Sequence, residues 1–276
     1  MEQAPEKTPD TLRRATIDAL AASDLEDKVR LTNLACRLWF ARRLGLHSPT
    51  DPAHPGRPGR PETPELVSPK KLKRRSVHTE EGRVVLVHAL AHIELNAIDL
   101  ALDIVARFAR EKMPQSFFDG WMTVALEEAK HFGLLSRRLG ELGSHYGALP
   151  AHDGLWQAVE ETAHDLSARL AVVPLILEAR GLDVTPSMID KLTAVGDLDT
   201  AKILAIIYRD EQKHVAIGAK WFRFLCARHG VNAAERFGVL VRQSFRGEIK
   251  APFNDRARAE AGLTPTFYRS LSPRSR

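Results

Sequence analysis

Residues 198–228 read LDTAKILAIIYRDEQKHVAIGAKWFRFLCAR, and this stretch decides the fold class. We predict one long helix from about Leu198 to Arg228, closed by His229-Gly230. Inside it stands Glu211-Gln212-Lys213-His214, in which a glutamate precedes a histidine by three positions. Side chains three apart lie on one face of a helix about one turn apart, so both can reach one metal ion.

The sequence between the proline-rich segment and this helix predicts three more long helices. No stretch alternates with period two over the length of a strand, so we predict an all-α protein, most simply a four-helix bundle with additions. Pro174 should kink the third helix. The predicted helices run from Thr79 (N-cap) to Arg110 before Met113-Pro114, from Ser116 or Asp119 to Leu142, and from Leu155 to Ala179 ending at Gly181, with a short helix capped by Thr185 and begun by Pro186.

The chain repeats its glutamate and histidine pattern. A second Glu-x-x-His, Glu128 to His131, lies in the second predicted helix, and Glu94 and Glu178 lie in apolar surroundings in the first and third. Glu94 precedes Glu128 by 34 positions, and Glu178 precedes Glu211 by 33. The midpoint between the two glutamates of each pair falls beside or inside a predicted connection between helices. An antiparallel arrangement of the two helices therefore places both glutamates of a pair at equal depth. A lone carboxylate in apolar surroundings is costly to bury, which favours a shared role.

Six side chains therefore form the predicted ligand set: Glu94, Glu128, His131, Glu178, Glu211 and His214. One glutamate from each of two helices and a Glu-x-x-His from each of the other two is the ligand set of di-iron and di-manganese carboxylate bundles. We expect two iron ions per chain, or alternatively two manganese ions. The other interpretation is a set of surface salt-bridge glutamates with two incidental histidines.

Acidic residues beside the predicted ligands are candidates for orienting the histidines. A metal-bound histidine usually donates its second ring proton to a carboxylate or other acceptor. The internal symmetry assigns Asp210 to His131 and Glu127 to His214, whereas the alternative is that both acids face solvent. Tyr208 could line the site, although a core tyrosine is the simpler interpretation.

Other polar residues are interpreted as structural. Glu161 and His164 form a third Glu-x-x-His, but His164 precedes Glu178 by about 21 Å along a helix, too far to share one centre. We interpret Glu161 and His164 as a structural polar pair. His92 is interpreted as a packed or capped histidine rather than a ligand, and His88 shares its helix.

Four segments are predicted along the chain. Residues 1–48 form an N-terminal helical extension, helical from Thr11 to Gly45. Residues 49–77 form a proline-rich basic linker that we expect to run extended over the surface, because seven of the 16 prolines lie within 21 residues. The four-helix bundle occupies residues 78–230, and residues 231–276 hold one more helix and a basic tail expected to be disordered.

Basic residues concentrate in the linker and the C-terminal tail. The whole chain has a net charge of +5, and residues 56–75 and 246–276 together carry more than that, which leaves the body mildly acidic. A basic tail can hold RNA or an acidic partner by releasing counterions. The alternative is solvated charge without a partner, and the acidic body argues against a broad RNA-binding platform.

Composition excludes several classes of protein. A chain of 276 residues buries a sizeable core without cross-links, and its two cysteines, Cys36 and Cys226, form no CxxC pair, so we expect buried thiols. The start of the chain is polar and lacks an apolar signal core. The longest apolar run, Leu170 to Leu177, is far shorter than the roughly 20 residues of a membrane span. We expect a soluble, cytoplasmic protein with no membrane partner.

The six predicted ligands resemble those of the ferritin-like superfamily. The wider sequence around them is similar to one uncharacterised bacterial family within it, a ferritin-like domain of unknown function. The similarity covers nearly the whole chain and is carried by HALAHIELNAIDL (88–100), EEAKHF (127–132), LPAHDGLW (149–156), LEARGLDVTP (177–186) and Asp210-Glu211. The superfamily includes ferritins, rubrerythrin-like peroxidases, manganese catalases, fatty-acid desaturases and tRNA-modifying hydroxylases. The resemblance therefore implies a fold and a metal site without selecting an activity.

We predict a non-haem dinuclear iron or manganese oxidoreductase that activates O2 or peroxide and hydroxylates or oxidises an unidentified organic substrate. No Gly-x-Gly-x-x-Gly fingerprint occurs, so the electrons would come from an external donor or from the substrate. One alternative is an iron-handling or peroxide-detoxifying protein of the ferroxidase or rubrerythrin type. The other is a non-catalytic metal-binding scaffold.

Overall fold

The computed structural model describes residues 9–73 and 76–272, and within these ranges the chain is helical and contains no β-strand. The all-α prediction is confirmed for these residues. A π-helical segment, Val173–Glu178, joins two of the α-helices. The α-helices are α1 (Leu12–Ala21), α2 (Leu25–Phe40), α3 (Glu80–Phe108), α4 (Gln115–Glu141), α5 (Gly154–Glu161), α6 (Leu166–Val172), α7 (Ala179–Ala194), α8 (Leu198–Arg228), α9 (Ala233–Ser244), α10 (Asp255–Glu260) and α11 (Pro265–Tyr268).

Three of the four long helices predicted for the body, now α3, α4 and α8, are confirmed with nearly the expected ends. Helix α3 begins where Thr79 Oγ1 accepts a hydrogen bond from Gly82 N at 3.0 Å. Helix α8 begins in the same way, because Asp197 Oδ1 accepts from Thr200 N at 3.1 Å. Such caps satisfy N–H groups that have no partner within the helix, so they fix where each helix starts.

The prediction of one third helix from Leu155 to Ala179 is wrong. Helix α5 ends at Glu161, and a new helical run begins at Leu166 after a short break. Asp165 causes the restart, since its Oδ1 accepts hydrogen bonds from Ser167 N at 2.6 Å and Ala168 N at 3.3 Å. The new run then continues through the π-helical segment and α7 as far as Ala194.

The prediction that Gly181 ends a helix and Pro186 begins one is also wrong, because both lie inside α7. A proline within a helix leaves the carbonyl four residues earlier without its usual N–H donor. Here that carbonyl belongs to Leu182, and Asn254 Nδ2 donates to it at 3.2 Å. A side chain far along the sequence therefore satisfies the group that Pro186 leaves unpaired within its own helix.

Pro174, predicted to kink a helix, lies within the π-helical segment and packs against α8. A Cβ atom on Gly218 of α8 would lie 2.4 Å from Pro174 Cβ, closer than two carbon atoms approach. Gly218 therefore allows the segment that ends at Glu178 to lie directly against the helix that carries Glu211 and His214.

The N-terminal extension, predicted to be helical from Thr11 to Gly45, consists of the two helices α1 and α2. Asp24 ends the break between α1 and α2, because its Oδ1 accepts from Asp27 N at 2.9 Å and caps α2. Gly45 ends neither helix. Instead its backbone pairs with the start of α1, where Leu12 N donates to Gly45 O at 2.7 Å.

The expectation of a disordered tail is wrong for residues 245–272, which contain α10 and α11. Arg258 of α10 holds this segment on α7 through two hydrogen bonds of 2.7 Å to the buried carboxylate of Asp183. The last residues of the tail, 273–276, and Arg74 and Arg75 of the basic linker lie outside the described residues.

The chain divides into two compact units. The first contains the residues up to Thr63 together with Ala97–Lys130, and the second contains Pro64–Asn96 together with the residues from His131 onward. Both units contain parts of α3 and α4, because the division falls within these two helices.

The first unit contains a buried ion network, here called the Asp99 cluster, made of Lys28, Arg60 and Asp99. Lys28 Nζ lies 2.8 Å from Asp99 Oδ1 and also donates to Leu20 O at 2.9 Å. Arg60 Nη2 lies 3.0 Å from Asp99 Oδ2. One basic residue of the proline-rich linker is thus used inside the protein rather than displayed on the surface.

Helix α3 is long and apolar enough to cross a membrane by length and composition alone. However, 83% of its most apolar window is buried inside the protein, as in the core helix of a soluble protein. The search for uninterrupted apolar runs does not select α3 as a candidate membrane span, because Glu94, Asp99 and Asp103 interrupt its apolar residues.

The two cysteines are free and buried, as the composition predicts. Burial raises the pKa of the Cys36 thiol to about 12, and it also raises the pKa of Cys226. A thiol reacts as its thiolate, so these shifts leave both side chains as small apolar groups in the core.

Candidate metal centre

Four buried side chains from three helices converge on one point. They are Glu94 of α3, Glu128 and His131 of α4, and Glu211 of α8, here called the glutamate–histidine cluster. One ligand atom from each lies within 4.8 Å of the corresponding atoms of the other three. These four residues could hold a metal ion, since three carboxylates and one imidazole are ligands that transition metals such as iron and manganese accept.

Helix geometry explains this convergence. Glu128 and His131 are three positions apart on α4, so they lie on one face of it. Glu94 comes to the same point from α3, where its Oε2 lies 3.3 Å from His131 Nδ1. At this separation His131 presents Nδ1 toward the cluster.

Asp210 lies on the other side of the same imidazole. Its Oδ2 is 3.1 Å from His131 Nε2, and both side chains are buried. Lys213 Nζ lies 3.0 Å from Asp210 Oδ1. This carboxylate therefore lies between a lysine and the histidine, where it can fix which ring nitrogen carries the proton.

The remaining predicted ligands, His214 and Glu178, are not among the four convergent residues. His214 is fully buried, its Nδ1 lies 3.7 Å from Glu211 Oε2, and its ring centroid is 6.0 Å from that of His131. Glu178 is half-buried at the end of the π-helical segment. A π-helical turn shifts the residues after it around the helix axis and is frequent at functional sites.

Glu127 and Tyr208, which the sequence places beside the predicted ligands, are both only partly buried. Glu127 is half-buried on α4. Tyr208 is half-buried on α8, and its hydroxyl oxygen lies 3.2 Å from Asn254 Nδ2, so its described contact is with the C-terminal segment.

The third Glu-x-x-His is not arranged like the other two. Glu161 ends α5 and its Oε1 lies 3.6 Å from Arg246 Nε, while His164 lies in the break before α6. The structure therefore pairs Glu161 with Arg246 rather than with His164. The break in the helix removes the one-face geometry on which the motif depends.

His88 and His92 form an aromatic stack with Tyr146, a residue that the sequence analysis missed. His92 Nδ1 lies 2.8 Å from Tyr146 Oη, and His92 Nε2 lies 3.0 Å from His152 O. His88 Nε2 accepts a hydrogen bond from Gly147 N at 3.0 Å. Burial, with a smaller effect from the charge of a neighbouring histidine, lowers the pKa of His88 to about 4. No local sequence signal pairs α3 with the loop that carries Tyr146.

Comparison with known proteins connects this site to a family. The family model described as "Protein of unknown function (DUF455)" matches residues 21–269. The chain belongs to this family. The DUF455 match extends from before α2 to the end of α11 and includes every residue of the glutamate–histidine cluster.

A curated relative is similar over most of its length. This chain is 43% identical to an "Uncharacterized protein" of Haemophilus influenzae over 204 residues, which cover 72% of this chain and 71% of that protein. No solved structure matches the chain.

Proposed function

We propose that this member of the DUF455 family is a dinuclear non-haem metal protein with a ferritin-like bundle, in which iron or manganese serves an oxidoreductase. The observation that carries the proposal is the buried convergence of Glu94, Glu128, His131 and Glu211. Three carboxylates so close together repel one another, and divalent cations relieve such repulsion.

The predicted set of six residues would hold the metals, with His214 and Glu178 completing the four convergent ones. Bound iron or manganese would supply redox chemistry toward O2 or peroxide. The protein contributes ligand orientation and the exclusion of water. Glu128, His131 and His214 are fully buried, which strengthens every electrostatic interaction in the site.

Asp210 is assigned the role of a positioning residue. Within the proposed centre it accepts the Nε2 proton of His131, which leaves Nδ1 of that ring to bind metal. Asp210→Asn would weaken this orientation. We expect metal affinity to fall about tenfold to a hundredfold while the number of metals at saturation stays unchanged.

The first test is the metal content of protein purified without oxygen. We expect about two iron or manganese ions per chain, lost in the Glu128→Ala/Glu211→Ala variant. The control is Glu161→Ala/His164→Ala, which removes the glutamate and histidine of the Glu-x-x-His that lies outside the cluster. Circular dichroism confirms that each variant remains helical. A folded wild-type chain without transition metal would overturn the proposal.

Oxygen consumption by the reduced, loaded protein separates the oxidoreductase from iron handling. An oxidoreductase consumes O2 in proportion to its bound metal and turns over only with an added electron donor. Continued turnover with free Fe²⁺ as the sole electron source would instead support an iron-oxidising protein and contradict oxidation of an organic substrate.

A further inference from the structure

A cavity of about 290 Å³ in the second unit lies beside the π-helical segment. Its walls include Ile93 of α3, Leu155 of α5 and Ile176 of the π-helical segment, and the segment after α9 closes it with Phe245 and Ile249. These walls therefore come from four separate parts of the chain.

Two walls of the cavity adjoin predicted metal ligands along the chain. Ile93 directly precedes Glu94, and Ile176 stands two positions before Glu178. A molecule in this cavity would lie against the two backbone segments that carry these glutamates.

The cavity has apolar walls with charged residues among them, and part of the apolar lining is accessible. Ile93, Leu155 and Phe245 are only half-buried, although apolar side chains of this size are usually covered in a folded domain. A concave apolar surface with a few polar groups at its edge is the usual form of a small-molecule site.

Arg180 is one of the charged residues that line this cavity. The Nη1 atom donates to Lys250 O at 2.8 Å and to Pro252 O at 3.0 Å, and it lies 3.4 Å from Asp183 Oδ2. Its Nε and Nη2 atoms make no hydrogen bond with the described residues, and 40% of the side chain is exposed. This edge of the guanidinium is the fork that binds two oxygens of one anion.

The charges around Arg180 keep that edge positive. Asp183 is the nearest acid, but both of its oxygens are bound by Arg258 at 2.7 Å. Lys250 and Glu248 also line the cavity, and Lys250 Nζ lies 3.1 Å from Glu248 Oε2. Each acid is therefore matched by its own cation, and the positive charge of Arg180 remains.

We propose that this cavity binds an organic anion with an apolar body, whose carboxylate or phosphate group is held by Nε and Nη2 of Arg180. The apolar body lies among Ile93, Leu155, Ile176 and Ile249. The identification of this anion as the oxidised substrate rests on the proposed function, whereas the binding itself does not.

The binding test uses two fluorescent probes that share one apolar skeleton. 8-Anilino-1-naphthalenesulfonate carries an anionic group, and N-phenyl-1-naphthylamine is the same skeleton without it. We expect the wild-type chain to bind the sulfonate with a Kd about tenfold to a hundredfold lower than that of the neutral probe. Equal affinity for both probes would overturn the role of Arg180.

Three variants locate the binding. Arg180→Gln should remove the preference for the sulfonate and leave the neutral probe bound as before. Ile176→Trp should fill the cavity and weaken both probes. Arg256→Gln removes an exposed arginine of α10 that binds Glu260, so it is the matched control and should change neither Kd. An equal loss in Arg180→Gln and Arg256→Gln would show adsorption by general positive charge and contradict the proposal.

Competition identifies the anionic group and separates this inference from the proposed function. Octanoate and octyl phosphate should displace the sulfonate probe at concentrations where 1-octanol does not, and the stronger of the two identifies the group. The titration is repeated with the Glu128→Ala/Glu211→Ala variant. Retained binding there supports the cavity even if no metal is found, whereas metal-loaded protein that fails to prefer the sulfonate overturns the cavity alone.

Discussion

Two buried charged clusters in this protein are built in opposite ways. In the Asp99 cluster, the cations of Lys28 and Arg60 contact the two oxygens of one carboxylate at 2.8 and 3.0 Å. In the glutamate–histidine cluster, ligand atoms of three carboxylates and one imidazole lie within 4.8 Å of one another. The first arrangement brings opposite charges together, and the second brings like charges together.

This difference predicts opposite consequences for stability. Removing one partner of a buried ion pair leaves the other charge in a medium of low dielectric constant, which is strongly destabilising. Removing one of several mutually repelling carboxylates relieves unfavourable energy unless a cation is bound. The Asp99 cluster therefore has the character of a structural element, and the glutamate–histidine cluster that of a ligand site.

The largest effect is expected for Lys28→Met. The side chain of Lys28 is fully buried, and its loss leaves Asp99, also fully buried, with one cation fewer. We expect the free energy of unfolding, measured by urea denaturation, to fall by about 3–5 kcal/mol.

A second substitution tests the cause of that loss. Lys28→Met/Asp99→Leu replaces both partners by apolar side chains and should recover at least half of the lost stability. A double variant no more stable than Lys28→Met would show that Lys28 acts through packing rather than through charge.

Much of the fold and of the candidate site could be predicted from the spacing of residues along individual helices. Thr79 caps the start of α3, and Asp197 caps the start of α8. Helix α4 is predictable from its long helical pattern. The four side chains that the structure brings together are all among the six that the repeat selects, because i, i+3 spacing and equal depth are local properties. Whether these six bind metal stays a prediction.

The rest depended on contacts between distant residues. The sequence predicts that Pro186 begins a helix, because proline favours the first helical position, yet Asn254 donates to the carbonyl of Leu182 from 72 positions away and Pro186 lies inside α7. The contact between Arg60 and Asp99 likewise joins a proline-rich segment to the interior of a helix. Local patterns carry no information about such partners.

The second largest effect is expected from metal binding itself. Ligands that bind the native chain raise its stability, so Mn²⁺ at 100 to 1,000 times its Kd should increase the free energy of unfolding by about 3–4 kcal/mol. Glu128→Ala/Glu211→Ala should lose this increase, and Glu161→Ala/His164→Ala should keep it. An equal increase in all three chains would mean that Mn²⁺ acts elsewhere.

Acid sensitivity outside both clusters is expected from His88. Because its pKa is about 4 in the folded chain and about 6.5 when unfolded, the unfolded chain binds an extra proton between these values. The titration of His88 should therefore leave the free energy of unfolding unchanged above pH 6.5 and lower it by up to about 3 kcal/mol as the pH drops to 4. The loss has a structural cause, since a protonated Nε2 cannot accept from Gly147 N.

His88→Gln isolates this contribution, because a glutamine oxygen can accept the same hydrogen bond without titrating. The variant should lose less stability than the wild type between pH 6.5 and 4, as measured by urea denaturation at each pH. His47→Gln, at an exposed position, serves as the control. Identical pH profiles for His88→Gln and the wild type would assign the acid sensitivity to the clusters instead.

The smallest effect, of opposite sign, provides the sharpest comparison of the two clusters. In metal-free protein, Glu211→Gln removes one negative charge from the glutamate–histidine cluster while keeping the shape of the side chain. We expect the free energy of unfolding to rise by about 1–2 kcal/mol, because repulsion among the carboxylates decreases. With Mn²⁺ present the same substitution should destabilise, since a ligand is lost. A substitution that destabilises equally with and without metal would place Glu211 in a structural network like that of Asp99, and the contrast between the two clusters would fail.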